Sequence, residues 1–423
     1  MMQNGVLITA PNSGSGKTVI TLGILRALAR KMNVRSAKSG PDYIDPRFHE
    51  FACGNTSFNL DTWAMTSDRL KELSCGKGTY IVEGAMGLFD GDSSGLSGST
   101  ALLAKTLNLH VVLVIDCSKM AQSVAALVRG FITHDTKLNF LGIILNKLGS
   151  EKHEKMIRNS LSDSFFPPVI GALKRDSAFH QPSRHLGLVQ ASERDDLEHW
   201  LDNMADEIEM NVDLDKLDFN NKLKLKSKKL NSPPGQNISI ARDKAFSFIY
   251  PHLEQDWKKA GATIRYFSPL ANEPVPNSDF IYLPGGYPEL YAGIIANNSI
   301  FINSMQDASK KSLIYGECGG YMVLGKILIG NDGTKHKMLN LLDLVTTFES
   351  PKLTLGYRKL TSIKGSFVGS FFGHEFHYAK TEQFNGESLF TSSDSSDNSL
   401  PNLGLVNGLV SGSFAHIIDK TET

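Results

Sequence analysis

The chain has 423 residues, of which 41% are hydrophobic and 21% are charged, and its formal net charge is zero. A length of this order exceeds one ordinary core and predicts more than one domain, while the zero net charge excludes a global field that attracts nucleic acid or an anionic membrane. The first residues lack a basic and apolar leader, and no apolar stretch approaches the ~20 residues of a membrane span, so we expect a cytoplasmic protein without nucleic-acid or membrane partners. The four cysteines have no CxxC spacing, which argues against a disulfide framework and a structural zinc site.

Strand-like apolar runs alternate with helical patterns through the first half of the chain. The runs are VLIT (6–9), TYIV (79–82), HVVLVI (110–115), FLGIIL (140–145) and PVIGAL (168–173). Such alternation predicts βαβ units around a largely parallel sheet that is buried on both faces. We therefore predict an α/β domain over residues 1–205.

The segment APNSGSGKT, residues 10–18, follows the first apolar run and precedes a helical pattern. It ends in Gly-Lys-Thr, as a P-loop does, although Pro11 stands where the Walker pattern begins with Gly. Backbone amides and a helix N-terminus converge on an anion in this context. We predict that Lys17 reaches the β- and γ-phosphates, that Thr18 binds Mg²⁺, and that the whole cradle consists of Asn12, Ser13, Gly14, Ser15, Gly16, Lys17 and Thr18.

Two acidic segments follow later strands of the same domain. GPDYIDP contains Asp42, Tyr43 and Asp45, and YIVEGAMGLFDG places Glu83 at a strand end with Asp90 beyond it. Carboxylates at the carboxyl ends of parallel strands face the bound ligand. We predict Asp42 and Glu83 as Mg²⁺ ligands and Asp45, Asp90 and Tyr43 as contacts to ATP or substrate; helix capping and turn chemistry are the alternative for the acidic residues.

Two further residues complete the predicted nucleotide site. Lys38 precedes GPDYID and is placed to neutralise a transferring phosphoryl group, with an ordinary surface lysine as the alternative. Asn146 and Lys147 in ILNKLG are typical of a base-reading Asn-Lys pair, but no Asp follows where a guanine reader needs one, so we predict ATP. Asn12 stands where a partitioning-type ATPase carries a second lysine, which argues against that class of nucleotide switch.

The alternation fails between residues 206 and 236, where the chain is charged and polar and contains Pro233-Pro234-Gly235. We interpret this segment as a linker and the lysines between 222 and 229 as solvated. A second set of strand-like runs begins with ISIAR, and the segments after residue 350 lack intervening helices. A second α/β domain with a more antiparallel part is predicted over residues 237–423.

Cys318 in SLIYGECGGYMVLG lies between a predicted strand and a predicted helix, with glycines on both sides. Small neighbours permit the sharp turn that presents a nucleophile, and we expect the helix N-terminus to lower the pKa of the thiol. Such a thiolate attacks a carboxamide when an oxyanion hole is present. Gly285 and Gly286 in YLPGGYPEL, together with Gly319, are the predicted oxyanion and glutamine-binding positions.

The general base for this thiol is predicted to be a histidine from far along the chain. His416 in GSFAHII is our choice, and His377 in GHEFHYA is the alternative. In a strand His374 and His377 lie on opposite faces, whereas Glu375 and His377 share one. We therefore do not expect a metal site in this segment.

A phosphotransfer site and a thiol amidase in one chain indicate one reaction. Glutamine hydrolysis at Cys318 supplies ammonia, and ATP activates a carboxylate as an acyl phosphate that the ammonia attacks. Because water consumes both intermediates, we expect a closed passage between the domains. The rival from another class is a nucleotide switch with a vestigial amidase half, against which the presence of both Cys318 and His416 argues.

Nine motifs in order along the chain resemble those of the cobyrinic and hydrogenobyrinic acid a,c-diamide synthases: APNSGSGKT, SGPDYIDPRFH, NLDTW, EGAMGLFDG, IARDKAFSFIYP, LPGGYPEL, ECGGYMVLG, LGYR and GHEFHYA. The resemblance implies a dethiobiotin-synthetase-like P-loop domain followed by a class I glutamine amidotransferase domain. Its later part is most similar to the members that act on cobalt-free hydrogenobyrinic acid. Cobyrinic acid and nickel sirohydrochlorin are the alternative macrocycles.

The resemblance implies amidation of the a and c acetate groups of a corrinoid, with ATP and glutamine as substrates and Mg²⁺ as cofactor. It places Lys17 and Thr18 on the phosphates and Mg²⁺, makes Cys318 the nucleophile and His416 its base, and leaves a homodimer open. Asp42, Glu83 and Asp90 would contact metal, ATP or corrinoid. Many class I amidotransferases carry Glu two residues after the histidine, but here that residue is Ile418, and Asp419 faces the other way. We therefore expect a Cys–His pair whose orienting group is not identified.

Overall fold

The computed structural model of the chain describes residues 5–93, 95–175, 183–184, 187–188, 190–217, 232–365 and 367–421. The chain divides into two compact units, residues 1–227 and 228–423. The lysines between 222 and 229 lie outside the described residues. Within the described ranges, none of the helices combines the length and apolar character that crossing a membrane requires.

The first unit alternates strands and helices as the apolar runs predict. Its elements are β1 (Val6–Thr9), α1 (Lys17–Ala29), β2 (Val34–Ser39), α2 (Asp45–Cys53), β3 (Phe58–Leu60), α3 (Ser67–Ser74), β4 (Thr79–Glu83), α4 (Thr100–Leu107), β5 (His110–Asp116), α5 (Val124–His134), β6 (Asn139–Leu148), α6 (Glu151–Ser160), β7 (Val169–Lys174), β8 (Ser183–Arg184), β9 (Gly187–Leu188) and α7 (Leu197–Asn211).

Seven strands of this unit form one sheet in the order β3-β2-β4-β1-β5-β6-β7, and their pairings are parallel. All residues of β1 and β4 are buried, which is why these strands read as nearly continuous apolar runs. Because β1 and β4 are neighbours, the loop after Thr9 and the side chain of Glu83 emerge at the same edge of the sheet.

Helix α7 packs along α1 and closes one side of this unit. Arg26 donates to Asp202 through Nε over 2.8 Å, and Arg30 donates to Asp206 through Nη1 over 2.7 Å. The predicted linker begins at residue 206, but the helix continues to Asn211 because its buried side includes Ile208. The division between the two units falls after residue 227, inside the predicted 206–236 segment.

The second unit starts with parallel strands and continues with antiparallel ones. Its elements are β10 (Asn237–Ala241), α8 (Pro251–Lys259), β11 (Thr263–Phe267), β12 (Phe280–Leu283), α9 (Ala292–Asn297), α10 (Ser299–Ala308), β13 (Leu313–Glu317), α11 (Gly319–Leu324), β14 (Ile327–Ile329), β15 (Lys335–Lys337), β16 (Asp343–Thr347), β17 (Thr354–Ser362), β18 (Ser370–His377), β19 (Lys380–Asn385), β20 (Glu387–Ser393), β21 (Ser399–Asn407), β22 (Val410–Ser413) and β23 (His416–Lys420).

Ten of these strands form one sheet in the order β11-β10-β12-β13-β22-β21-β20-β17-β18-β23. The pairings from β11 through β22 along this order are parallel, and those beyond β22 are antiparallel, which confirms the predicted change of character. Aromatic rings fill the core under the parallel part, where Tyr282 and Tyr315 stack with centroids 6.0 Å apart. This order brings the ends of β12, β13 and β22 together.

Candidate active site

The P-loop owes its shape to glycine and to an asparagine from a distant strand. Gly16 has φ of 89°, a conformation that favours glycine, and α1 begins directly after it. A β-carbon at Gly16 would lie 2.3 Å from Nδ2 of Asn146, so this position has no room for a side chain. The same Nδ2 donates to the carbonyl of Ser15 over 2.9 Å. Asn146 therefore braces the loop in the described contacts, and whether it also reads the base stays a prediction.

Lys17 is folded across the loop that it follows. Its Nζ donates to the carbonyl of Asn12 over 3.2 Å and to that of Met86 over 2.5 Å. Burial lowers the pKa of Lys17 from its ordinary value, while the Glu83 carboxylate acts in the opposite direction. The ammonium group is thus held at the mouth of the P-loop by neutral carbonyls, which a phosphate group can replace.

A buried cluster of charges lies beside the first turn of α1. Lys38 Nζ donates to Asp45 Oδ2 over 2.6 Å and to Glu83 Oε1 over 2.7 Å, and all three side chains are buried. Thr18 Oγ1 donates to the same Glu83 oxygen over 2.5 Å and lies 3.5 Å from Asp45 Oδ2. The ends of β2 and β4 and the first turns of α1 and α2 therefore meet at this cluster.

The electrostatics of this cluster favour the charged forms. Burial by itself lowers the pKa of Lys38, but the Asp45 and Glu83 carboxylates outweigh it and raise that pKa above its ordinary value. Burial pushes the pKa of Glu83 up, yet Lys38 and His49 hold it well below its usual range. A hydroxyl and two carboxylates are the oxygen donors that Mg²⁺ takes together with substrate phosphates, so Thr18, Asp45 and Glu83 fit this cation.

The predicted metal ligand Asp42 has a different role. Its Oδ1 accepts hydrogen bonds from the backbone amides of Ile44 over 2.7 Å and of Asp45 over 3.3 Å, so it caps the start of α2. Burial and the neighbouring Asp45 charge raise the pKa of Asp42 to about 7. The structure thus brings Asp45, not Asp42, to Thr18 and Lys38, because the turn directs the Asp42 carboxylate back to its own backbone.

The other predicted contacts shape the neighbouring loops. Asp90 Oδ2 accepts a hydrogen bond from the Gly87 amide over 2.7 Å and closes the turn after β4. Tyr43 is 8% exposed and belongs to the core. Ser15 Oγ donates to the Asn12 carbonyl over 2.9 Å, inside the P-loop itself. Direct contacts of these residues with ATP or substrate stay predictions.

A cavity of about 720 Å³ opens over the P-loop, within the range of small-molecule sites. Its described lining includes the sequence-predicted Ser13, Gly14, Gly16, Lys17, Thr18, Lys38, Asp45, Glu83 and Asn146. The far end is lined by Leu173, Lys174, Arg175, Met204, Glu207 and Ile208, which the sequence analysis did not assign to the site. The cavity therefore extends from the phosphate cradle to residues of β7 and α7.

Two further contacts support the cradle. His49 Nε2 lies 2.7 Å from Glu83 Oε2, while Thr18 and Lys38 contact the other oxygen of that carboxylate. Lys147 Nζ donates to the carbonyl of Gly14 and to Asp116 Oδ2, each over 2.7 Å. The sequence analysis did not assign His49 to the site, whereas Lys147 belongs to the predicted base-reading pair, and whether it reads the base stays a prediction.

In the second unit Cys318 occupies the predicted turn between β13 and α11. Its φ of 48° and ψ of −105° are strained for a residue with a β-carbon. Close packing enforces the turn, since a β-carbon at Gly320 would lie 1.9 Å from the carbonyl oxygen of Leu283. The Cys318 amide donates to the carbonyl of Ser413 over 2.9 Å and fixes the turn to β22.

His416 lies near this cysteine. A β-carbon at Gly285 would lie 2.3 Å from His416 Cε1, 2.9 Å from its Nε2 and 3.3 Å from Cβ of Cys318. Glycine is therefore required at position 285, and the imidazole edge and Cβ of Cys318 border one small space. The amides of Ser247 and Phe248 both bond the Gly285 carbonyl, so its peptide is held in place.

The expectation of a thiol with a lowered pKa is wrong. Burial raises the pKa of Cys318 well above its ordinary value, and the negative charge of Glu289 adds to the effect; the Gly319 amide lowers it but does not prevail. The helix that follows has only six residues. Cys318 is therefore neutral until a base takes its proton.

The alternative base His377 is engaged elsewhere. Its Nδ1 lies 3.0 Å from the carbonyl of Ala379, its Nε2 lies 3.3 Å from Glu375 Oε1, and its ring stacks on Phe414 with centroids 4.0 Å apart. These contacts favour His416 as the base. In the described ranges no group of three or more His, Cys, Asp and Glu side chains is arranged to hold a metal ion.

One buried carboxylate near the thiol is missing from the predicted site. Glu317 Oε2 lies 3.4 Å from Nδ1 of His416, and both side chains are almost completely buried. The same carboxylate accepts hydrogen bonds from Tyr282 Oη over 2.6 Å and from the Ile417 amide over 3.0 Å. The available signal was a glutamate directly before Cys318 at the end of an apolar strand, where an acidic residue is rare unless it has partners.

Two family models match the chain. One describes a CobQ/CobB/MinD/ParA nucleotide binding domain and matches residues 6–189; the other describes a CobB/CobQ-like glutamine amidotransferase domain and matches residues 237–422. These matches, with the two sheets, confirm the predicted fold class of a P-loop α/β domain followed by an amidotransferase-like α/β domain.

Curated relatives match over nearly the full length. A hydrogenobyrinate a,c-diamide synthase of a Sinorhizobium species is 46% identical over 430 residues, which cover 98% of this chain and 99% of the relative. The protein of the same description from Brucella anthropi is 46% identical over 433 residues, covering 98% of each chain. That of Rhizobium meliloti is 44% identical over 430 residues, covering 99% of this chain and all of the relative.

Proposed function

The chain belongs to the hydrogenobyrinate a,c-diamide synthase family, and on this premise we propose that it amidates two carboxylates of a cobalt-free corrinoid, using ATP and glutamine. The observation that carries the proposal is the presence of two different reaction sites in one chain. Lys17, Lys38 and the Thr18–Glu83 contact form a phosphate site, and Cys318 with His416 forms a thiol site. The substrate would be hydrogenobyrinic acid, and the reacting groups its a and c acetate side chains.

In the first unit the reaction would begin with transfer of the γ-phosphoryl group. A substrate carboxylate oxygen attacks the γ-phosphorus, the bond to the β,γ-bridging oxygen breaks, and ADP leaves. Lys17 and Lys38 supply positive charge where negative charge develops. Mg²⁺ held by Thr18, Asp45 and Glu83 would neutralise the phosphates and orient them. Ammonia then attacks the acyl phosphate, and phosphate leaves as the amide forms.

In the second unit glutamine would be hydrolysed through a thioester. His416 takes the proton from the Cys318 thiol, the sulfur attacks the carboxamide carbon, and the amides near Gly285 and Gly319 face the oxyanion. The proton returns to the nitrogen, which departs as ammonia, and water hydrolyses the thioester to glutamate. Because Cys318 is neutral at rest, proton removal and attack are coupled to His416.

The test is a side-by-side assay of purified chain with ATP, glutamine and one of three macrocycles: hydrogenobyrinic acid, cobyrinic acid or nickel sirohydrochlorin. We expect mass spectrometry to find a diamide with the cobalt-free corrinoid, and one ADP and one glutamate for each amide. Faster amidation of either metal-containing macrocycle would overturn the substrate assignment. ATP cleavage without an amide product would refute the amidation itself.

A further inference from the structure

We propose that Glu317, the residue before the nucleophile, orients His416 and stabilises its imidazolium form during glutamine hydrolysis. The inference rests on the proposed glutaminase function. Many class I amidotransferases orient the histidine with a glutamate two residues after it, but here that position on β23 is Ile418. The proposal assigns this role to a carboxylate from β13 instead. Glu317 acts through the histidine and does not touch glutamine, so it is a positioning residue.

The two nitrogens of the His416 ring face different partners. Nδ1 lies 3.4 Å from Glu317 Oε2. The opposite edge of the ring, Cε1 and Nε2, faces Gly285. A β-carbon built on Gly285 would lie 2.9 Å from His416 Nε2 and 3.3 Å from Cβ of Cys318. A carboxylate at Nδ1 favours the tautomer with its proton on that nitrogen, and in this tautomer Nε2 carries no proton and can accept the one from the thiol. Catalytic contacts of this length commonly shorten when substrate binds.

The Glu317 carboxylate is itself fixed. Tyr282 donates its hydroxyl proton to Oε2 over 2.6 Å, and the Ile417 amide donates to Oε1 over 3.0 Å. Glu317 is 2% exposed, so water does not compete for these oxygens. Since Ile417 follows His416 directly, one carboxylate holds both the ring and the backbone of the first residues of β23.

Proton transfer from Cys318 to His416 explains why a carboxylate beside the ring is useful. Moving the proton from Cys318 Sγ to His416 Nε2 creates a thiolate and an imidazolium on two buried side chains, and this charge separation is unfavourable. Burial keeps the thiol neutral beforehand. A carboxylate at Nδ1 stabilises the imidazolium and therefore the ion pair that attacks glutamine, and it disfavours rotation of the ring away from the sulfur.

Other carboxyl groups near His416 are directed elsewhere. The position of the usual glutamate is occupied by Ile418, which has no carboxyl group. Its side chain is fully buried, and its backbone carbonyl lies 2.7 Å from Nε2 of His252. Asp419 stands opposite Phe372 in the β18–β23 ladder, and its Oδ1 accepts the Lys420 amide. Glu375 pairs with Arg358 Nε over 2.5 Å. Glu317, by contrast, places a carboxylate oxygen 3.4 Å from Nδ1 of the imidazole.

The experiment compares Glu317→Gln and Glu317→Asp with the native full-length chain. We expect Glu317→Gln to lower kcat for glutamine hydrolysis by about 10²-fold or more while KM changes little, since the carboxylate acts on proton transfer rather than on binding. Glu317→Asp keeps the negative charge but holds it farther from Nδ1. We expect its kcat to lie between those of Glu317→Gln and the native chain. Amidation with added ammonium chloride should stay at the native rate in both variants, because the synthase site is untouched.

Glu254→Gln is the matched control. Glu254 is also a buried carboxylate of the second unit, and it pairs with Arg242 and accepts from Tyr266 far from the thiol in sequence. We expect this variant to hydrolyse glutamine at the native rate. An equal loss in Glu254→Gln would mean that any buried carboxylate of this unit is needed for folding, which would overturn the specific role of Glu317.

Retention of kcat within about threefold in Glu317→Gln would also overturn the proposal. If Glu317→Gln does not fold, Tyr282→Phe decides, because it removes one hydrogen bond from the same carboxylate and keeps its charge. We then expect kcat to fall about tenfold with KM unchanged, and an unchanged kcat would contradict the positioning role. A native chain that hydrolyses no glutamine would refute the proposed function and this inference with it.

Discussion

The hydroxyl of Thr18 donates a hydrogen bond to Oε1 of Glu83 over 2.5 Å, and this contact joins the first turn of α1 to the end of β4. The P-loop and the acidic strand end are separated widely in sequence but belong to one site. Lys38 Nζ, 2.7 Å from the same oxygen, completes it. The contact explains how the Gly-Lys-Thr turn after β1 and the carboxylate at the end of the neighbouring strand β4 come together in one site.

Replacing Glu83 with Gln removes the charge that balances Lys38 and that would bind the cation. We expect the Mg²⁺ concentration for half-maximal amidation to rise about 10–100-fold, with either glutamine or ammonia as nitrogen source. Glutamine hydrolysis measured without macrocycle should be unaffected. Glu154→Gln, which breaks a surface pair with Arg158, is the control and should leave the Mg²⁺ titration as it is. An unchanged titration in Glu83→Gln would contradict the cation site.

Cys318→Ala separates the two activities. Without the thiol no thioester forms, so we expect glutamine-dependent amidation to disappear, while amidation with added ammonium chloride continues near the native rate. The measurement is amide formation by mass spectrometry with each nitrogen source. Cys75→Ala, at a half-buried cysteine of the first unit, should retain both activities. Loss of the ammonia-dependent reaction in Cys318→Ala would refute the division of labour between the sites.

Gly285→Ala tests the space between the thiol and the imidazole. A β-carbon there would lie 2.3 Å from His416 Cε1, so the ring has to move and proton transfer from Cys318 is impaired. We expect kcat for glutamine hydrolysis to fall by about 10²-fold or more. Gly293→Ala, in α9, is the control because the nearest atom to its added carbon is 3.6 Å away. A native rate in Gly285→Ala would show that the ring edge does not face the thiol.

His374 predicts a pH dependence of stability. Burial, with smaller contributions from His416 and Arg358, lowers the pKa of His374 to about 3, against 6.5 for a free imidazole. The unfolded chain therefore binds more protons below pH 6.5, and stability falls as pH decreases. Between pH 7 and pH 5 this protonation lowers the free energy of unfolding of the native chain by about 2 kcal/mol. We expect His374→Gln to lack this part of the decrease.

Denaturant titrations of the native chain and of His374→Gln at several pH values measure this difference. His336→Gln, on the short strand β15, serves as the control and should keep the native pH dependence. Parallel curves for the native chain and His374→Gln would show that the imidazole gains a proton in the folded state too.

Several features of the protein follow from local sequence. The P-loop, the parallel sheet around it and the strained cysteine are predicted because glycine at a required positive φ, apolar runs and strand–turn–helix order are properties of neighbouring residues. Gly16 before Lys17 and the glycines around Cys318 carry that information directly. The family resemblance rests on the same short motifs, and the full-length relatives confirm it.

Local sequence does not show which residues act together. Asp42 and Asp45 both stand in GPDYIDP, and only the turn into α2 decides that Asp45 reaches Thr18 while Asp42 bonds backbone amides. Glu317 and Ile417 are 100 residues apart and meet because β22, which pairs with β13, is followed almost directly by β23. The pKa of Cys318 likewise depends on burial by distant segments, which outweighs the short helix that follows it.

Adjacent residues thus specify the P-loop turn and the cysteine turn, because short-range sterics and hydrophobic periodicity are local properties of the chain. Contacts between distant segments select Asp45 and Glu83 as the carboxylates beside Thr18, and Glu317 as the carboxylate beside His416. Those choices depend on strand order, on turn geometry and on exclusion of water, and each of these arises from contacts between residues far apart in the chain.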